Sequence, residues 1–302
     1  MKRKNNPRGI RKTGDERVFS TISFVLCGLG ALLCALPFWL ILAGSFSNEN
    51  DILKYGYSVW PRTFSLDAYQ TVFAIPDKIL SAYGISILVT AVGGAVGLFL
   101  TTMTAYVLMR PDFRYRKGFA FYLYIPTVFS GGMIPTYILM VVSLKLKNNI
   151  LALILPGLMS TWNTLLMRNF MRGIPPSIME SAKIDGANDM QIFLHLYLRL
   201  SGPGLATIGL FIALGYWNDW FNAMLYIERS RLFPLQYLLY RMFSNIEAVQ
   251  EASSKSRIVV ERMPTETFKM AMAIVTTGPI IFLYPFVQRY FVKGLTIGSV
   301  KG

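Results

Sequence analysis

Histidine is almost missing from this chain: His195 is the single one among 302 residues. That excludes a histidine-based metal cluster and leaves little room for Ser-His catalysis. Cysteine is equally scarce. Cys27 and Cys34 stand seven apart within one apolar run, two helical turns and about 10 Å between Cα atoms, which a disulfide does not span. Both are expected to be small packing residues. No Gly-x-x-x-x-Gly-Lys-Ser/Thr loop occurs, so the chain is not expected to bind or hydrolyse ATP by itself. Charged residues make up only 15%, against roughly a quarter in soluble domains. The net charge of +14 raises nucleic acid as a partner. However, the cations sit in short segments beside apolar runs, without basic-aromatic interleaving, so no nucleic-acid partner is expected.

What the chain does have is apolar length. Hydrophobic residues reach 53% and cluster in six runs: 18–45, 83–108, 119–143, 150–170, 205–226 and 270–291. Each reaches the roughly 20 residues that a bilayer core requires. The first is too long for a cleaved signal segment and lacks a small-residue cleavage site, so it is expected to be a retained span. Residues 1–17 hold seven Lys and Arg, and Arg110–Lys117 hold four in eight residues. Both segments are therefore expected inside, with both termini cytoplasmic. Segments 46–82 and 227–269 fall outside. The first, with Trp60-Pro61 and Tyr69, reads as a small folded excursion. Lys145 and Lys147, in a short outside loop, run against the inside bias of positive charge.

Several spans carry polar or bend-forming residues. Ser130-Gly131-Gly132 and Pro135 allow a bend, either as a packing kink or as one that also shapes a gate. Trp162 and Asn163 lie in the fourth run. The fifth ends in Tyr216-Trp217-Asn218-Asp219-Trp220-Phe221-Asn222. An aspartate at the centre of a span costs about 3 kcal/mol in lipid, so Asp219 should face protein, a wet cavity or the interface. One reading is an aromatic belt at the headgroups. The other is a sugar-lined path, with aromatic faces stacking on rings and amides holding hydroxyls. Spacing of i, i+3 would put Trp217 and Trp220 on one helix face.

Between the fourth and fifth runs lies Glu180-Ser181-Ala182-Lys183-Ile184-Asp185-Gly186-Ala187. Pro175-Pro176 ends the preceding span, Ser177 is placed to cap a helix, and Glu180 would complete a capping box. Gly186 suits a turn with positive φ before a second helix over 189–200. Ala182, Gly186 and Ala187 are small enough to let another backbone approach closely. A solvated surface hairpin is the plain alternative to a docking element.

This segment, with Phe193 and Leu198-Arg199-Leu200-Ser201-Gly202-Pro203, resembles the EAA loop of permeases in binding-protein-dependent ABC importers. Ser181 replaces the first Ala of that pattern. Arg199 stands where many members have Pro, which bears on the kink after the second helix. Phe129–Tyr137, Met167–Phe170, Gly215–Asn222 and Gln288–Gly302 resemble the second permease of maltose-type carbohydrate importers, particularly Gram-positive oligosaccharide permeases, some for uronate-containing oligomers. The resemblance covers nearly all of residues 18–302.

The resemblance implies an all-α, polytopic membrane protein with six transmembrane helices, the type I ABC importer permease fold. It implies a basic cytoplasmic segment over 1–17, a coupling region near 175–200 and a cytoplasmic tail near 292–302. Glu180, Ser181, Ala182, Asp185, Gly186 and Ala187 would couple to an ATPase, and Thr296, Gly298 and Lys301 would contact it from the tail. Tyr137, Trp162, Asn163, Tyr216, Trp217, Asn218, Asp219, Trp220 and Asn222 are candidates for the substrate path. The implied partners are a second, homologous permease, two ATPase subunits that bind ATP and Mg, an extracellular solute-binding protein, a sugar or oligosaccharide, and the bilayer. The chain itself is expected to hold no cofactor. A non-sugar solute is the alternative cargo.

Overall fold

A computed structural model describes residues 14–74, 76–256 and 265–281. They are helical with no named strand among them. They form two compact units, one of residues 14–72 with 265–274, the other of 73–256 with 275–281.

In the first unit, α1 (Gly14–Ser45) opens with Asp15 and Glu16, which favour a helix N-terminus. Its apolar stretch, Val18–Ser45, is long enough to span. Cys27 and Cys34 are free, as their spacing requires, but exposed rather than packed. Their side of α1 therefore has no covering element among the described residues. α2 (Glu49–Tyr55) is capped by Asn48 and ended by Gly56 at φ +74°. α3 (Asp67–Val72) follows, with a single bridge pairing Ser47 and Phe64. Trp39 donates to Val59 O at 2.9 Å and meets Trp60 edge-on, and Ser45 bonds Tyr69. The expected folded excursion is present, anchored by those aromatics.

The second unit is built on α4 (Pro76–Met109), 34 residues and about 51 Å long at 1.5 Å per residue. Val89, Gly93, Gly97, Thr101 and Ala105 recur every four residues and are all buried. That stripe of mostly small residues lets neighbouring backbones approach, which is how helices associate where lipid removes the hydrophobic drive. α4 packs against α8 and α12.

In sequence the later runs read as single spans, the third with room for a bend, and three are broken. Residues 119–143 divide into α5 (Arg116–Val128) and α6 (Met133–Ile138), which continues as a π turn to Ser143. The two arms meet at 109° where Gly132 takes φ +86°. Residues 150–170 divide into α7 (Leu151–Ile154), a 3-10 turn holding Pro156, and α8 (Thr161–Arg172). α9 (Pro176–Ile184) precedes α10 (Asp189–Gln191), a π stretch over Ile192–Tyr197 and α11 (Leu198–Leu200), which run on as one helix. α12 (Gly202–Trp217) turns 85° from it at Ser201. The kink that Arg199 puts in question is thus present, supplied by Gly202-Pro203. The fifth run breaks again before α13 (Phe221–Tyr226). Among the described residues two helices are long and apolar enough to span, or four if each bent pair counts as one. Gly131-Gly132, read in sequence as part of a bend, here separate two helices outright.

α14 (Leu235–Ser256) orders much of the long segment 227–269. A last described helix occupies 266–281. The basic residues of 1–13 and the tail residues Thr296, Gly298 and Lys301 lie outside the described residues.

Candidate functional site: a coupling hairpin and a polar cleft

The hairpin after α8 starts where Pro175 adopts extended backbone and Pro176 occupies the first position of α9. Proline needs no amide partner there and presets φ. The expected Ser177–Glu180 capping box does not form, and α9 has no side-chain cap. Pro176 starts the helix one residue earlier, so Ser177 lies inside its first turn. The capping box belongs to the second helix. Asn188 Oδ1 accepts from Gln191 N at 2.8 Å, and Gln191 Oε1 accepts from Asn188 N at 2.9 Å. Between the helices Gly186 takes φ +82°, and a Cβ there would meet nothing within 4 Å. Its backbone requires glycine, while the space around it is open.

Glu180, Ser181, Asp185 and Gly186 are exposed, and Ala182 and Ala187 are half-buried. Ile184, at 86% exposure, is the most prominent apolar residue of the hairpin. It is not among the expected coupling residues, although one apolar side chain between Lys183 and Asp185 is a legible signal.

The hairpin is fastened to the end of α4. Lys183 Nζ donates to Asp112 Oδ2 at 2.9 Å. Arg110 Nε donates to Asp112 Oδ1 at 2.8 Å, and its guanidinium also pairs with Asp189. Arg110 is only 14% exposed. The Arg110 hydrogen bond holds the Asp112 carboxyl well below the usual carboxylate range. The Asp112 bond, against the cost of burial, keeps the guanidinium more firmly charged than usual. Deeper in, Tyr106 of α4 packs its ring 5.3 Å from Phe193 and 5.0 Å from Tyr197. Charge contacts therefore join both hairpin helices to the end of α4, and aromatic contacts join the second helix to it as well. In sequence Arg110 and Asp112 read only as part of a basic loop.

The path candidates divide. Asn163, Tyr216, Asp219 and Asn222 converge on an open cleft of about 350 Å³, together with Ser160, Gly157 and Phe211. Ser160 caps α8, which places Asn163 in that helix's first turn. Asp219 accepts from Asn222 N at 3.1 Å and Nδ2 at 2.7 Å, so it also holds the first turn of α13. Tyr216 donates to Ile154 O at 2.7 Å. Its ring lies where a Cβ on Gly93 or Gly157 would stand, 2.6 and 2.9 Å away. Sequence reading missed Gly93 and Gly157, whose role depends on a ring far off in the chain.

The remaining candidates lie elsewhere. Trp217 and Trp220 do not share a face, because the helix ends between them. Trp217 is 7% exposed and donates to Thr276 O at 3.3 Å, whereas Trp220 stacks on Tyr240 at 4.5 Å. Asn218 accepts from Gln236 at 3.4 Å, and Tyr137 stacks on Tyr226 at 6.1 Å. Trp162 is 73% exposed and does not line the cleft.

An all-α membrane chain of this architecture is a permease of the ABC importer type. A solved structure described as that of a bacterial ABC transporter involved in the import of the acidic polysaccharide alginate superposes with a TM-score of 0.78 and 30% identity, over 93% of this chain and 99% of that one. The chain belongs to the family described as binding-protein-dependent transport system inner membrane component, whose model matches residues 16–297. The polygalacturonan/rhamnogalacturonan transport system permease protein YtcP of Bacillus subtilis (strain 168) is 40% identical over 287 residues, 95% of this chain and 99% of that protein. Protein LplC of the same strain is also 40% identical, over 97% of this chain and 98% of its own length.

Proposed function

We propose that this chain is the membrane-spanning permease half of an ATP-driven importer for an acidic oligosaccharide. The observation that carries the coupling role is the exposed hairpin around Gly186, tied by Lys183, Asp112, Arg110 and Asp189 to the end of α4. A partner that moves such a hairpin moves the span with it. The acidic cargo is supported by relatives whose names mention polygalacturonan, rhamnogalacturonan and alginate. Both termini are assigned to the cytoplasm.

In this reading a second, homologous permease completes the channel, and two ATPase subunits bind ATP and Mg on the cytoplasmic side. The tail with Thr296, Gly298 and Lys301 reaches toward them. ATP-driven closure of the ATPase pair draws the two hairpins together and rocks the spans as rigid bodies. An extracellular solute-binding protein then releases its sugar to a path that includes the Asn163–Asp219–Asn222 cleft. The chain itself supplies no hydrolytic step. Support for the sugar path is the pairing of amides, a carboxylate and the Tyr216 ring in one cleft.

The test is reconstitution with the partner permease, ATPase and binding protein. ATPase activity should rise when loaded binding protein is added, and Ile184→Cys should crosslink to the ATPase. An Ile184→Cys thiol that reacts only with water-soluble reagent in the working complex would remove the coupling assignment.

A further inference from the structure

The loop after α6 is held in an uncommon backbone. Lys145 and Asn148 both take left-handed φ, +53° and +59°, which costs a non-glycine residue about 1 kcal/mol or more. A clasp enforces it. Asn148 N donates to Tyr226 O at 2.9 Å, and its Oδ1 accepts from Glu228 N and Arg229 N at 2.7 and 3.0 Å. Lys147 pairs with Glu228 at 2.7 Å. Two distant segments, 144–149 and 226–229, are thereby fixed side by side.

The side of the membrane follows from α4. Ser81, near its start, donates to Arg231 O at 3.2 Å. Arg110, beyond its far end, holds the coupling hairpin. The 29 residues between them span about 44 Å of helix, more than a bilayer core. The clasped loop therefore stands opposite the coupling hairpin, on the uptake side.

Four cations gather there, Lys145, Lys147, Arg229 and Arg231, with Glu228 as the acid among them. Lys145, Arg229 and Arg231 are exposed and make no ion pair among the described residues. Unpaired cations on that side oppose the charge bias that orients the chain, so a role other than orientation accounts for them. Arg229 is seven residues from Asn222 of the polar cleft, with the last four residues of α13 between, within about 16 Å. The stacked Tyr137–Tyr226 pair lies against the clasp.

We propose that Lys145, Arg229 and Arg231 form a carboxylate-receiving rim at the uptake mouth, which draws an acidic oligosaccharide from its carrier toward the Asn163–Asp219–Asn222 cleft. The proposal rests on the import function given above and assigns its charge selectivity to this rim. Cations carried on a backbone fixed by the clasp match a sugar acid better than a neutral sugar, because they meet its carboxylates.

The experiment uses the complete importer in proteoliposomes with its binding protein. Uptake of trigalacturonate and trimannuronate is compared with that of their methyl esters, for the wild type and the triple variant Lys145→Gln, Arg229→Gln, Arg231→Gln. The clasp residues Asn148, Lys147 and Glu228 are untouched, and basal ATPase activity reports assembly. The rim predicts a roughly tenfold lower kcat/KM for the acids, a flattened salt dependence and unchanged ester uptake. The charge-preserving Lys145→Arg should retain acid uptake. Equal losses for acid and ester would overturn the rim and make this face a docking surface for the binding protein. No loss for either would overturn it as well. Wild-type uptake of neither form would instead remove the acidic-cargo reading, and the rim's ligand with it.

Discussion

Lys183 of the coupling hairpin and Asp112 beyond the end of α4 are joined by a 2.9 Å ion pair across 71 positions of sequence. Asp112 is also gripped by Arg110, which in turn holds Asp189 on the other side of Gly186. Each helix of the hairpin is therefore tied to the same short segment. In the proposed coupling, motion at Gly186 would reach α4 through these charge contacts.

Asp112→Asn should uncouple the importer. It removes the central charge and leaves Arg110, at 14% exposure, short of a partner, which costs roughly 1–3 kcal/mol. Stimulated ATPase activity in the reconstituted complex should fall several-fold while the ATPase stays bound. Because the bonded carboxyl is held below its usual range, the lock contributes fully above the ordinary aspartate pKa of about 4. It weakens only as pH falls well below that. The defect of the variant should accordingly be flat between about pH 6 and pH 8. Wild-type stimulation in Asp112→Asn would show that coupling takes another route.

Gly186 has two separable properties, a left-handed backbone and open surroundings. Gly186→Asn tolerates the backbone but adds bulk; Gly186→Ala adds little bulk but strains the turn by about 1 kcal/mol. If close seating against the ATPase is the requirement, Asn should reduce stimulated ATPase activity far more than Ala. The reverse order would assign the glycine to the turn alone. Gly186→Asp should behave like Asn, with added charge at the same interface.

The hairpin was legible in sequence because its signals are local: paired prolines, a glycine at a turn, small residues in a row. Gly186 needed no distant partner to be read. The Ser177–Glu180 box failed because Pro176, directly after Pro175's extended backbone, fixes the helix start ahead of it. The charge lock was not legible, since nothing near Arg110 announces Asp189. Apolar length located the spans but not their breaks. Hydropathy does not distinguish a helix that bends at Gly132 from one that ends there, and it does not reveal that Trp217 and Trp220 diverge.

Tyr216 forms one wall of the polar cleft only because Gly93 and Gly157 leave room for its ring. Gly93→Ala places a methyl 2.6 Å from that ring. Overpacking of this kind costs about 1–3 kcal/mol and should displace the phenol from Ile154 O. Thermal unfolding in detergent should shift downward by several degrees, and uptake should fall further than stability alone explains. Restored stability in the double variant Gly93→Ala, Tyr216→Phe would show that the hydroxyl contact is dispensable. Restoration only in Gly93→Ala, Tyr216→Leu would assign the loss to ring volume.

Among the described residues of the first unit, Glu49 makes the densest set of polar contacts. Its carboxylate accepts from the amides of Thr265, Glu266 and Thr267 at 2.9–3.0 Å and from the hydroxyls of Thr265 and Thr267. Those amides begin the helix 266–281, whose first donors have no partner within the helix. Burial alone would raise the Glu49 carboxyl, but the bonds from Thr267, Glu266 and Thr265 outweigh it and hold the group below its usual value. A carboxyl lowered in this way stabilises the fold above the ordinary glutamate pKa of about 4.3. The contribution is lost as pH drops through the lowered value. Glu49→Gln keeps the shape but replaces one acceptor oxygen with a donor, facing amides that also donate. It should cost about 1–3 kcal/mol at neutral pH and much less in acid. Thermal melts of the two proteins at pH 7 and near pH 3 measure this: the gap between them should narrow at the lower pH. A gap of equal size at both would mean that the carboxylate charge contributes nothing and that packing alone holds the helix start.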